Sequence, residues 1–96
     1  MMILITYDVK TITKAGQKRL RLVAKACKDY GVRVQNSVFE CHVTNTQYIT
    51  LKRRIDGIVD KETDNVRFYH MGEGWKKHVE MIGNVIMFDP TDELIV

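Results

Sequence analysis

The sequence predicts one α+β domain, an antiparallel sheet with two helices on one of its faces. Three observations carry this expectation. Alternating apolar runs stand at residues 2–9, 32–43 and 66–71, two segments with helical spacing separate them, and a further apolar run stands at 84–89. The order is strand, helix, strand, strand, helix, strand, with one extra strand after it. The 96 residues leave room for a single hydrophobic core. A chain of this size buries roughly 60–65% of its unfolded surface, so a partner that covers more of it adds to stability.

In the first strand, Ile3, Ile5 and Tyr7 face one way and Leu4, Thr6 and Asp8 the other. Residues 10–15 form a polar connection. A helix is expected from Gly16 to Asp29, with Leu20, Val23, Ala24 and Cys27 as its core stripe and Gly31 at its exit. Val32 to Val43 reads as two short strands joined near Asn36-Ser37. Thr44 followed by Gln47 has the spacing of a capping box and opens a second helix over 45–60. Tyr48, Leu51, Ile55, Ile58 and Val59 form its apolar face. Residues 60–65 are a polar turn and 66–71 a strand. Residues 72–83 read as a glycine-punctuated linker to the strand at 84–89 and a tail at 90–96, all within one domain spanning 1–96. This β-α-β-β-α-β order is that of a ferredoxin-like sandwich. Its second sheet face stays uncovered and carries Met2 and Leu4, which favours self-association through that face or along an edge strand.

Charge is unevenly placed. Residues 10–33 hold Lys10, Lys14, Lys18, Arg19, Arg21, Lys25, Lys28 and Arg33 against Asp29 alone. The last eight residues carry Asp89, Asp92 and Glu93 and no base. Lys18, Arg21, Lys25 and Lys28 form a stripe about 100° or more from the core stripe. An acidic partner such as nucleic acid suits this polarity. A lone carboxylate, Asp8, stands where the first apolar run stops and the basic segment starts, which suggests a metal site facing a phosphate backbone. The plainer alternative for Asp8 is a turn or helix cap, and for the basic stripe a solvated helix face.

Cys27 and Cys41 are too few for a disulfide framework and lack C-x-x-C spacing, so buried thiols are expected. His42, His70 and His78 are scattered, which argues against zinc. No apolar run approaches the ~20 residues of a membrane helix, and the N-terminus has no secretory pattern, so no membrane association and a cytoplasmic location are expected.

Tyr7-Asp8-Val9, then Lys18-Arg19-Leu20-Arg21, then Tyr30-Gly31-Val32-Arg33-Val34-Gln35-Asn36-Ser37-Val38-Phe39-Glu40, in that order and spacing, resemble the small CRISPR-associated adaptation nuclease, the Cas-two family. The resemblance covers nearly the whole chain. It implies a homodimer with the two first strands near the twofold axis. It implies one divalent ion, Mg²⁺ with Mn²⁺ as the alternative, held between the two Asp8 side chains. The activity it implies is metal-dependent phosphodiester cleavage by an endonuclease, on double-stranded DNA or on single-stranded RNA, in spacer acquisition and antiviral defence. A regular basic stripe favours the duplex. The alternative role is a non-catalytic scaffold that binds duplex DNA and bridges dimers of the Cas-one integrase.

On this reading Asp8 is both metal ligand and catalytic group, and Lys18, Arg19, Arg21, Lys25 and Arg33 are the nucleic-acid contacts. Arg33 clamps a phosphate near Asp8 or covers a strand edge. Ser37 and Phe39 come near the metal by family resemblance, while Tyr7 adjoins Asp8 but points to the core side. No general base accompanies Asp8. An RNA-binding module of the RRM type shares the element order but needs exposed aromatics on its central strands, and the strand at 38–43 offers Phe39 alone.

Overall fold

The chain forms β1 (Met2–Asp8), α1 (Lys14–Lys28), β2 (Gly31–Gln35), β3 (Val38–His42), α2 (Asn45–Asp56), β4 (Asn65–His70) and β5 (His78–Gly83) in a computed structural model that describes residues 1–72 and 78–83. All strand pairings are antiparallel, and the sheet order is β2-β3-β1-β4-β5. This is the expected ferredoxin-like sandwich with a further strand on the β4 edge.

Period-two alternation decides the faces. Ile3, Ile5 and Tyr7 of β1 point to the same side as Phe39 and Cys41 of β3 and Val66 and Phe68 of β4. Val23, Ala26 and Cys27 of α1 and Tyr48, Leu51 and Ile55 of α2 close over them. Each fully buried aliphatic or Phe side chain here contributes about 1.5–3 kcal/mol relative to exposure. The α1 stripe differs from the expected one by a fraction of a turn: Ala26 is fully buried, and Leu20 and Ala24 pack only partly against the core.

Helix α1 starts earlier than expected because Thr13 caps it, its Oγ1 accepting from Gly16 N at 3.0 Å. Gly16 is buried in the first turn. A Cβ there would stand 1.9 Å from the Lys10 carbonyl oxygen, so the glycine lets the loop after β1 lie against the helix. Asp29 caps the other end, and Gly31 belongs to β2 rather than to the helix exit. In α2 the capping box forms as expected, Thr44 Oγ1 accepting from Gln47 N and Gln47 Oε1 from Thr44 N. The helix stops at Asp56, short of residue 60, with Gly57 as its cap. Ile58 and Val59 still pack on the core from beyond its end.

The linker expected over 72–83 is corrected at its second half, where His78–Gly83 is a strand. Val79 and Met81 pair with Tyr69 and Arg67, while Glu80 and Ile82 pair with Phe68 and Val66 on the helix side. A carboxylate at an inward position hides this alternation in the sequence. Lys52 of α2 neutralises Glu80 directly, and His70 Nε2 lies 3.2 Å from it. The expected strand at 84–89, the tail at 90–96 and Gly74 and Trp75 of the linker lie outside the described residues.

The other sheet face has no helix on it among the described residues. Met2, Leu4 and Thr6 of β1, Glu40 of β3, Arg67 and Tyr69 of β4 and Met81 of β5 are half-buried there. Val32 and Val79 are 69% and 47% exposed on the same side.

Candidate metal and nucleic-acid site

Asp8 is the last residue of β1 and is exposed. Alternation places it with Met2, Leu4 and Thr6 on the helix-free face. Across the ladder stands Asn65, whose Oδ1 accepts from Arg67 Nε at 3.3 Å. Asn65 and Arg67 therefore share the Asp8 face, and Arg67 brings positive charge to it. Neither was picked out from the sequence. The signal was present in the flanking Val66 and Phe68, whose inward positions force Arg67 outward.

The residue before Asn65 is the main addition the structure makes. Asp64 is fully buried and collects four donors. Its Oδ1 accepts from Lys10 N at 3.1 Å and Thr63 Oγ1 at 3.1 Å, and its Oδ2 from Arg19 Nε at 2.8 Å and Asp60 N at 2.9 Å. Burial pushes its pKa up, but the hydrogen bonds from Asp60, Arg19, Lys10 and Thr63 together outweigh that, and the net shift is downward. The sequence placed Asp64 in a polar turn. Its partner Arg19 lies 45 residues away, which no local pattern exposes.

Arg19 differs from the other bases of the expected nucleic-acid set in having a carboxylate partner within the chain. Its Nε is bound to Asp64 and its side chain is 20% exposed. Lys18, Arg21, Lys25 and Lys28 do stand exposed along α1. Lys18 and Arg21 join Thr11, Lys14, Gln17 and Leu20 around an open cleft of about 630 Å³ at the start of the helix. Only residues 9 and 10 separate Asp8 from Thr11, the first residue that lines this cleft.

Tyr7, Arg33 and Phe39 do not gather around Asp8. They lie on the helix side of the sheet. The Tyr7 ring stacks on Phe39 with centroids 6.1 Å apart, and its hydroxyl donates to the Asn36 carbonyl at 3.4 Å. Burial raises the Tyr7 pKa, and Arg33 opposes this in part. Phe39 is fully buried, and Arg33 extends over its ring instead of toward Asp8. Ser37 is half-buried in the β2–β3 turn, and its carbonyl accepts from Tyr7 N at 3.1 Å, which puts it at the Asp8 end of the sheet.

Among the described residues no three His, Cys, Asp or Glu side chains converge on a point that would hold a metal ion. Mg²⁺ is commonly held by one or two carboxylates and keeps several waters. Asp8 alone therefore supplies one carboxylate, half of a two-carboxylate donor set. Cys27 and Cys41 are buried thiols on the core side, with pKa values pushed up by burial to about 12 and about 11. No helix among the described residues is long and apolar enough to cross a membrane.

Comparison with known proteins matches residues 1–79 to the family described as CRISPR associated protein Cas2. The "CRISPR-associated endonuclease Cas2" of Halalkalibacterium halodurans is 52% identical over 95 residues, covering 99% of each chain. The "CRISPR-associated endoribonuclease Cas2" of Nitratidesulfovibrio vulgaris is 49% identical over 96 residues, covering all of this chain and 94% of that one. The crystal structure of Streptococcus pyogenes Cas2 at pH 6.5 superposes with a TM-score of 0.71 at 59% identity, covering 78% of this chain and 90% of that one. With the ferredoxin-like sheet and the expected motif residues in their expected order, these matches establish that the chain belongs to the CRISPR-associated Cas2 family.

Proposed function

We propose that this chain is a metal-dependent endonuclease that acts as a homodimer on double-stranded DNA during CRISPR adaptation. The observation that carries the reading is the position of Asp8, exposed at the end of the central strand on the face that no helix of the described residues covers. Two copies that pack those faces together bury Leu4, Tyr69, Val79 and Met81 and bring two first-strand ends toward one axis. The names of the relatives support nuclease chemistry.

Two Asp8 carboxylates would hold Mg²⁺, or Mn²⁺ in its place. When bound, the ion supplies positive charge at the scissile phosphoryl group and lowers the pKa of a coordinated water. Lys18, Arg21 and Lys25 hold the backbone through its phosphates, so binding weakens as salt rises. Arg67 adds charge on the Asp8 face and favours the approach of a phosphate to it.

The test is Asp8→Ala against wild type on duplex DNA and single-stranded RNA, with Mg²⁺ and then Mn²⁺. Loss of duplex cleavage with duplex binding retained is the expected result. Full cleavage by Asp8→Ala overturns the reading. If wild type binds duplex but cuts nothing with either ion, the scaffold role beside the Cas-one integrase replaces it, and preferential cutting of RNA replaces the substrate.

A further inference from the structure

We propose that Asp64 is a positioning residue for Asp8, and that Arg19 serves Asp64 as its counter-charge instead of serving the nucleic acid as a phosphate ligand. The proposal rests on the reading of Asp8 as the metal-binding and catalytic carboxylate.

The geometry converges on this one side chain. Asp8 is held by the chain on either side of it and by the strand opposite. Opposite it in the ladder is Asn65, the residue that follows Asp64 in the chain. Two residues after it is Lys10, whose backbone N–H donates to Asp64 Oδ1 at 3.1 Å. Asp64 thus grips the exit of β1 directly and borders its partner on β4. The same carboxylate ties in α1 through Arg19 Nε at 2.8 Å and the α2–β4 turn through Asp60 N at 2.9 Å. Behind it β5 closes in, where a Cβ on Gly83 would stand 2.0 Å from the Asp64 carbonyl oxygen.

The side-chain chemistry is specific. An ionised carboxylate offers only acceptors, and here four donors meet it. An amide of the same shape would aim N–H groups at N–H groups. Full burial with every donor accounted for differs from the solvated acid expected of a polar turn. Arg19 is the only charged side chain among the donors. Its guanidinium is directed inward while Lys18 and Arg21 on either side of it are exposed.

A residue that orients a metal-binding group typically alters metal affinity or activity by about 10–100-fold when removed. The experiment compares wild type, Asp64→Asn, Arg19→Gln and Asp8→Ala. For each, kcat and KM on duplex DNA, the Mg²⁺ concentration giving half activity, the salt dependence of duplex affinity, and amide exchange along β1 are measured. Asp64→Asn is expected to bind duplex as wild type does. Its kcat should fall about 10–100-fold at unchanged KM, with the Mg²⁺ midpoint raised and exchange faster at residues 8–10 than at 3–6. Arg19→Gln should show a weaker form of the same pattern with an unchanged salt slope, and it carries the test alone if Asp64→Asn does not fold.

Wild-type kcat, Mg²⁺ midpoint and strand-end exchange in a folded Asp64→Asn overturn the proposal. A salt slope reduced by about one in Arg19→Gln makes Arg19 a phosphate ligand and overturns its assigned part. Loss of cleavage in Asp64→Asn alongside full cleavage in Asp8→Ala also overturns it, and shows that the reading of Asp8 was at fault. Altered exchange at residues 8–10 with unchanged kinetics overturns the proposal as well, and if Asp8→Ala is inactive in the same assay the reading of Asp8 stands.

Discussion

The guanidinium carbon of Arg33 lies 5.1 Å from the centre of the Phe39 ring, on the side of the sheet away from Asp8. Cation–π contact of this kind contributes about 0.5–1 kcal/mol where the cation is exposed. Phe39 itself is a fully buried ring that meets Tyr7. Phe39→Ala should cost about 3–5 kcal/mol and Arg33→Ala about 0.5–1 kcal/mol. Urea unfolding measures both, and equal losses for the two would contradict the assignment of Phe39 to the core.

Asp8 makes the opposite prediction. It is exposed at a strand end, so Asp8→Ala should leave stability within about 0.5 kcal/mol of wild type. Cleavage should vanish all the same. A thermal melt beside a cleavage assay separates the two effects, and a large fall in melting temperature would mean that lost activity reports unfolding.

Acid should loosen two anchors. Four hydrogen bonds hold Asp64 ionised against burial, and Lys52 holds Glu80 ionised, so both carboxyl pKa values lie below their ordinary ones. A lowered folded pKa means that the unfolded chain takes up protons first as pH falls. The stabilisation is complete above the usual carboxylate range of about 4 and disappears as pH drops through the lower folded values. Melting temperature against pH should therefore fall steeply below about 4. In Asp64→Asn and in Lys52→Met the curves should lie lower at neutral pH and converge on wild type in acid. A constant gap down to strong acid would remove ionisation as the cause.

Gly83 has φ of 109°, and a Cβ built on it would stand 2.0 Å from the Asp64 carbonyl oxygen. Gly83→Ala meets both the left-handed backbone and that close approach. It should cost about 1–3 kcal/mol, and chemical denaturation should show it as a midpoint shift. Gly57→Ala is the control, since a Cβ there meets its nearest atoms at 3.6 Å and its φ is negative.

Cys27 and Cys41 should not react with thiol reagents in the native protein. Burial raises both pKa values, to about 12 and about 11, so almost no thiolate exists at pH 8, and both side chains are buried. Labelling should track global unfolding as denaturant is added. Rapid labelling of folded protein would show that the region beneath α1 opens locally.

Sequence by itself determined the element order, the capping box at Thr44 and Gln47, the inward set Ile3, Ile5 and Tyr7, and the outward position of Asp8. These are local properties, because alternation and helical spacing are written within a few residues of each other. The positions it misjudged have distant partners. Asp64 reads as part of a polar turn until α1 brings Arg19 to it, a pairing hidden because the two lie 45 residues apart. Glu80 masked β5 because Lys52, which makes an inward carboxylate tolerable, belongs to α2. Tertiary structure alone decided which charges meet. A charge left unpaired at a buried position is so costly that its location depends on a partner elsewhere in the chain, and the pairing appears only when separate elements pack.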